Sequence, residues 1–235
     1  MVVQGVAKIS GQNPAYRPAR FQKKAAFSRF TYFMYGVTIM TDFTTVKQNL
    51  ERLGYTVSCF PTAAEAAAYL DQQIDGATVG IGGSMTVEQM GLYELLRAHN
   101  EVFWHWKDPG ALDKAAICDV YLSSVNGLAE TGEIVNIDGN GNRVAATLYG
   151  HKKIYLIAGE NKLAKDYDAA LWRARNIASP KNAQRLSKKT PCAAKGDHCY
   201  NCDSPERICR GLCVFWSAPM MAEYEVVLIG EPLGY

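Results

Sequence analysis

Two glycine-bearing stretches carry the residue types that could do chemistry in this chain. The first reads Gly80-Ile81-Gly82-Gly83-Ser84-Met85-Thr86. Glycines there would let backbone N–H groups approach a ligand, and Ser84 adds a hydroxyl. The loop matches neither the G-x-G-x-x-G pattern nor a phosphate loop with its lysine. Gly82, Gly83 and Ser84 are therefore read as ligand contacts, with a plain strand-to-helix turn as the alternative. The second stretch runs from Asp119 to Gly150 and crowds Asn126, Asn136, Asp138, Asn142 and Arg143 around Gly139 and Gly141. An arginine at a helix start opposes the helix dipole, so Arg143 is expected to serve something else, such as a carboxylate or phosphate held bidentately. Asn126, Asn136 and Asn142 would orient that ligand. Asp138 and Glu133 are the candidate catalytic carboxylates, Glu133 as the base, while Glu130 reads equally well as part of a solvated turn. His105, between Trp104 and Trp106, reads as a packed residue at the core or rim.

A third constellation is made of sulfur. Cys192, Cys199, Cys202, Cys209 and Cys213 follow the spacing C-x6-C-x2-C-x6-C-x3-C. Four thiolates can close a tetrahedral zinc site or hold an iron–sulfur cluster, and Cys199-x2-Cys202 supplies the two-point grip that either uses. Cys192, Cys199, Cys202 and Cys209 are the expected ligands. Cys213 opens an apolar strand and is assigned to packing, as are Cys59 and Cys118. The chain holds seven cysteines, an odd number with five in one short segment. That distribution points to a local metal or redox site in a reducing, cytoplasmic setting rather than a secreted disulfide framework.

The elements that must position these groups alternate. Residues 44–53 form a helical face, 55–60 a strand, and Thr62 with Glu65 a capping box for an alanine-rich helix. Strands follow at 77–81, 101–106, 119–124 and 153–158. Helices intervene: one capped by Thr86 and Gln89, one opened by Pro109, and one over 166–177 that Pro180 should stop. Strand–helix alternation predicts an α/β fold, a mainly parallel sheet with helices on both faces. Beyond the Cys-rich segment, residues 214–217 and 224–230 read as two strands pairing as a hairpin on a sheet edge.

At 235 residues the chain fits one domain with an appendage, residues 42–235 preceded by a poorly ordered extension over 1–41. The apolar run at 30–40 is too short to span a bilayer. A net charge of +2 argues against a nucleic-acid partner.

GIGGSMTVEQMGLYELL, EVFWHW, DVYLSSVNGLAETGEIVNIDGNGNRVAA and the closing VVLIGEPLGY resemble the LUD-domain (lactate utilisation, former DUF162) proteins, over residues from about 42 to 235. The Cys-rich tail is similar to that of the family's short stand-alone branch. The resemblance implies a three-layer fold like the sugar-isomerase, ribose-5-phosphate-isomerase and CoA-transferase group, with ligands at the strand ends. It also implies a bacterial role in oxidising L-lactate to pyruvate beside iron–sulfur partner subunits. In related isomerases an acidic residue tends to follow the strand where Asn126 stands, and Asn cannot take a proton in that role. The expected function is thus binding of a small carboxylate or phosphate in lactate utilisation, with a homo-oligomer as a further expectation. The alternatives are an isomerase or acyl/CoA-transferase of the related fold, and a non-catalytic, metal-bearing sensor or assembly subunit.

Overall fold

The computed structural model describes residues 41–235; the expected N-terminal extension lies outside the described residues apart from its last position. The chain opens with α1 (Thr44–Arg52), β1 (Thr56–Phe60) and α2 (Ala63–Gln73). The expected Thr62 cap is present: its hydroxyl accepts the Glu65 N–H and donates to the Glu65 carboxylate. Next come β2 (Thr78–Ile81), α3 (Met85–Gln89), α4 (Leu92–Leu96), β3 (Glu101–Trp104), α5 (Ala111–Ala115) and β4 (Val120–Ser124). The cap of α3 is Ser84, whose hydroxyl accepts the Val87 N–H, rather than Thr86.

The second stretch then folds as a hairpin, β5 (Gly127–Ala129) and β6 (Ile134–Asp138), before α6 (Asn142–Leu148) and β7 (Lys153–Gly159). After the two-residue β8 (Leu163–Ala164), α7 (Tyr167–Arg173) passes through a π-helical turn at Ala174–Ala178 into α8 (Ser179–Arg185). Pro180 therefore does not stop the helix. The wider turn accommodates its missing N–H, and the Ser179 hydroxyl donates to the Ala174 carbonyl at 2.9 Å. The chain closes with α9 (Pro191–Lys195), β9 (Gly211–Phe215) and β10 (Glu223–Ile229).

Six strands form a parallel sheet in the order β1-β10-β7-β4-β2-β3. β10 lies inside this sheet, between β1 and β7, and β9 pairs with β6 in a second sheet, order β8-β5-β6-β9. The expected edge hairpin is thus replaced by two strands in different sheets. β10 reads Glu-Tyr-Glu-Val-Val-Leu-Ile, and its last six residues are buried. A continuous apolar run of that kind is what a strand covered on both faces requires.

Alternation divides the core. Ile154, Leu156, Val226 and Leu228 face α1, α6 and one side of the second sheet, where Leu128, Ile134 and Phe215 meet them. Tyr155, Ile157, Val227 and Ile229 face α2, α3 and α4. Each fully buried aliphatic side chain contributes about 1.5–3 kcal/mol. The other side of the second sheet, through Ala129 and Val135, packs on Ala170 and Ala174. Gly80 shows how closely the layers approach, because a Cβ there would stand 2.3 Å from the Ala115 carbonyl oxygen of α5.

Among the described residues no helix is long and apolar enough to cross a membrane.

Candidate functional site

The C-terminal ends of β2, β3, β4 and β7 open on one cleft of about 590 Å³. The rim of a parallel sheet is where such folds place ligands, because loops diverge there and leave a crevice. Both glycine stretches reach it. Gly83 and Ser84 line it from the loop after β2; Asn126, Asp138, Asn142 and Arg143 line it from the second stretch.

Arg143 organises the interior. Its Nη1 donates to the Ser124 carbonyl (3.1 Å) and the Asn136 Oδ1 (2.7 Å); its Nη2 donates to the Asn126 Oδ1 (3.1 Å) and the Ile137 carbonyl (2.9 Å). Its Nε stands 3.3 Å from Asp138 Oδ2. A guanidinium has five N–H donors, and here all five are committed to protein. Burial pulls its pKa below the ordinary value, with Asp138 opposing that shift. Arg143 therefore has the partner its helix position called for, and that partner is the chain itself: the side chain ties β4, β6 and α6 together beneath the cleft.

The neighbouring residues are engaged in the same post. Asn126 Oδ1 also accepts the Ile137 N–H at 2.7 Å. Asn136 is fully buried, and its Nδ2 has no hydrogen-bond partner. Asp138 Oδ1 accepts the Asn140 and Gly141 N–H groups, closing the turn into α6. Gly82 sits behind Arg143 rather than on the cleft wall. A Cβ there would come within 2.7 Å of the Tyr121 hydroxyl and 3.0 Å of the Arg143 Cγ, which is why glycine is required. Glu133 lies at the β5–β6 turn, its carboxylate accepting from the Thr131 hydroxyl, and does not line the cleft. The base expected there is absent from the site, because the hairpin carries Glu133 to the opposite end of β6 from Asp138.

Several groups that sequence reasoning did not assign to the site do line it. His105 does, with Nδ1 buried and unpartnered; burial lowers its pKa, with Asp138 opposing. Lys162, 3% exposed, reaches the floor just past β7 and donates to the Tyr235 oxygen. Burial first, then the charges of Arg173, Arg143 and Lys181, pull its ammonium pKa down to about 6. The strand-end rule applied to β7 would have pointed to Lys162, since it stands three residues beyond that strand. Arg185, Lys188, Arg207 and Arg210 complete the rim. The Arg185 guanidinium lies 4.6 Å from the centroid of Trp106.

The Cys-rich segment forms one wall through Pro205, Glu206, Arg207, Ile208 and Arg210. Arg207 orders it by donating to the carbonyls of Cys202 and Cys209, both at 2.8 Å. Cys199 Sγ accepts from Arg175 and from the Asn201 N–H, and Cys192 Sγ lies 3.3 Å from the Thr190 hydroxyl. All seven cysteines are free thiols. Among the described residues no three His, Cys, Asp or Glu side chains are gathered as a metal site.

The family model described as the LUD domain matches residues 44–229. Among solved structures, the chain is similar to the crystal structure of a DUF162 family protein from Deinococcus radiodurans, at 12% identity and a TM-score of 0.45, covering 79% of this chain and 94% of that one. No curated protein matches it.

Proposed function

Because the chain belongs to the LUD domain family, which is associated with lactate utilisation, we propose that it binds a small anionic ligand, carboxylate or phosphate, in the strand-end cleft. One observation carries this reading: two glycine stretches far apart in sequence meet at a single crevice whose rim bears Arg185, Lys188, Arg207 and Arg210. The ligand's anionic group is held by these rim cations, while Ser84, Asn126 and Asn142 face the rest of it. Lys162 replaces Glu133 as the acid–base candidate, because a desolvated amine titrating near neutrality can both take and give a proton.

Thermal unfolding with added inorganic phosphate or L-lactate, against chloride at equal ionic strength, tests the reading. Stabilisation of the native protein is expected, and it should weaken when Arg207 and Arg210 are both replaced by Gln. No stabilisation by either anion ends the proposal.

The isomerase and CoA-transferase alternatives would have to draw on Asp138 or Glu206, the carboxylates that line the cleft, since Glu133 does not. Metal or cluster binding by the four cysteines is a separate proposal that rests on their spacing, as is docking to an iron–sulfur partner. Peptide-resolved alkylation of anaerobically prepared protein decides the metal question. Thiols that react only after a chelator is added would mean an ion has drawn the sulfurs together; thiols that react at once would end the idea.

A further inference from the structure

The cleft is not evenly charged, and its gradient says more about the ligand than its net sign. The floor presents Ser84, Thr86, Ser124, Asn126 and Asn142, all neutral, beside the single buried amine of Lys162. The rim presents four cations whose hydrogen-bond partners carry no charge. Arg185 donates through Nε and Nη2 to the Asn182 Oδ1. Arg207 donates to the carbonyls of Cys202 and Cys209, and Arg210 to those of Arg207 and Pro205. The Lys188 ammonium has no partner among the described residues. Of the carboxylates on the cleft wall, Asp138 is paired with Arg143, whereas Glu206 accepts only the neutral Lys189 N–H and keeps its charge.

Elsewhere many surface cations do find carboxylates: Lys47 with Glu51, Arg97 with Glu94, Lys107 with Glu88, Lys152 with Asp119. Four cations against one carboxylate at the same rim still leave an excess of positive charge, and a multiply charged anion relieves that repulsion better than a single carboxylate. Guanidinium forks also match phosphate oxygens two at a time. Arg185 is held for this by the Trp106 ring beneath it. Size agrees with charge. A cleft of about 590 Å³ is in the range that accommodates metabolites of many atoms, and a three-carbon hydroxy acid would fill a small part of it.

We propose that the ligand is a phosphorylated metabolite, bound with its phosphate at the Arg185–Lys188–Arg207–Arg210 rim and its uncharged polar portion on the serine- and asparagine-lined floor. This rests on the cleft being the anion site and adds the ligand's class and direction. Lactate itself, with one charge and few atoms, is then a poor occupant.

Isothermal titration at constant ionic strength with pyrophosphate, inorganic phosphate and L-lactate tests it. Pyrophosphate should bind at least about tenfold more tightly than L-lactate. Arg185→Gln combined with Lys188→Gln changes two side chains at the solvent edge, so the variant should retain the native melting temperature. It should nevertheless lose at least about tenfold in pyrophosphate affinity. Because folding is checked by that melting temperature, and Trp106→Leu should weaken pyrophosphate independently by releasing Arg185, misfolding cannot mimic the result. L-lactate binding as tightly as pyrophosphate, or pyrophosphate binding unaffected by the rim substitutions, overturns the proposal while leaving an anion-binding cleft in place. If none of the three anions binds, the cleft assignment falls with it.

Discussion

The six-stranded sheet and the segment from Ser187 to Arg210 are ordered by different means. In the sheet, backbone ladders and apolar alternation do the work, and no charge is needed where Val226, Leu156 and Leu122 pack at 0% exposure. The later segment has one short helix, α9, and few apolar contacts. Its carbonyls are gathered by guanidinium groups: Arg207 on Cys202 and Cys209, Arg210 on Arg207 and Pro205. Charged donors bring order there, but they leave positive charge facing the cleft. The region that is hardest to fold by burial is therefore the region equipped to hold an anion.

Arg143 stands at the junction and offers the sharpest way to break this comparison. It is 9% exposed and fully bonded. Arg143→Ala strands Asp138 and the oxygens of Asn136 and Ser124, so destabilisation on the order of 3–5 kcal/mol is expected from a urea melt. A variant that kept its stability but lost anion binding would make Arg143 a ligand clamp and undo its assignment as an internal post. Gly80→Ala tests the sheet side. With the Ala115 carbonyl 2.3 Å from the new methyl group, α5 must shift, at a cost of roughly 1–3 kcal/mol. Phosphate affinity should not follow, because Gly80 does not line the cleft.

Arg207→Gln should cost less, about 1–2 kcal/mol for two hydrogen bonds to a charged group near solvent. It should remove anion affinity out of proportion to that loss. If stability fell as far as in Arg143→Ala, the segment would be part of the core and the contrast between the two regions would disappear.

What the sequence made legible follows the same division. The Thr62–Glu65 cap, the strand ending at Ser124 and the helix beginning near Asp166 are local signals, and each is present at its place. The parallel α/β fold followed from their alternation. The edge hairpin failed because neighbours in sequence were assumed to pair, whereas the buried run in β10 needed two covering layers and took an interior position. Pro180 misled because a π turn removes the hydrogen bond that proline cannot make. At the site, the spacing of Gly83, Ser84, Asn126 and Asp138 drew attention to loops that meet at one cleft. It could not show that Arg143 would be consumed by carbonyls, nor that Arg207 and Lys162 would arrive from distant segments. Those facts depend on which unlike elements meet, and periodicity does not record that.

The smallest expected effect concerns a cation that does have partners. His99 sits with Nε2 2.8 Å from Asp71 and Nδ1 2.9 Å from Asp75, two carboxylates one turn apart at the end of α2. Hydrogen bonds to Asp71 and then Asp75 raise its pKa above the ordinary 6.5. The imidazolium is thus favoured in the folded state. Its stabilisation is fully present below the unfolded pKa and is lost as pH rises through the higher folded value. The melting temperature of the native protein relative to His99→Gln should fall over that interval and level off on both sides. Phosphate affinity of His99→Gln should match the native protein at every pH, because this charge is already satisfied within the fold, whereas Lys188 and Arg207 at the rim are ion-paired with no carboxylate among the described residues. A pH-dependent difference in phosphate affinity between the two proteins would tie His99 to the cleft and blur the line between paired and unpaired cations on which the site assignment rests.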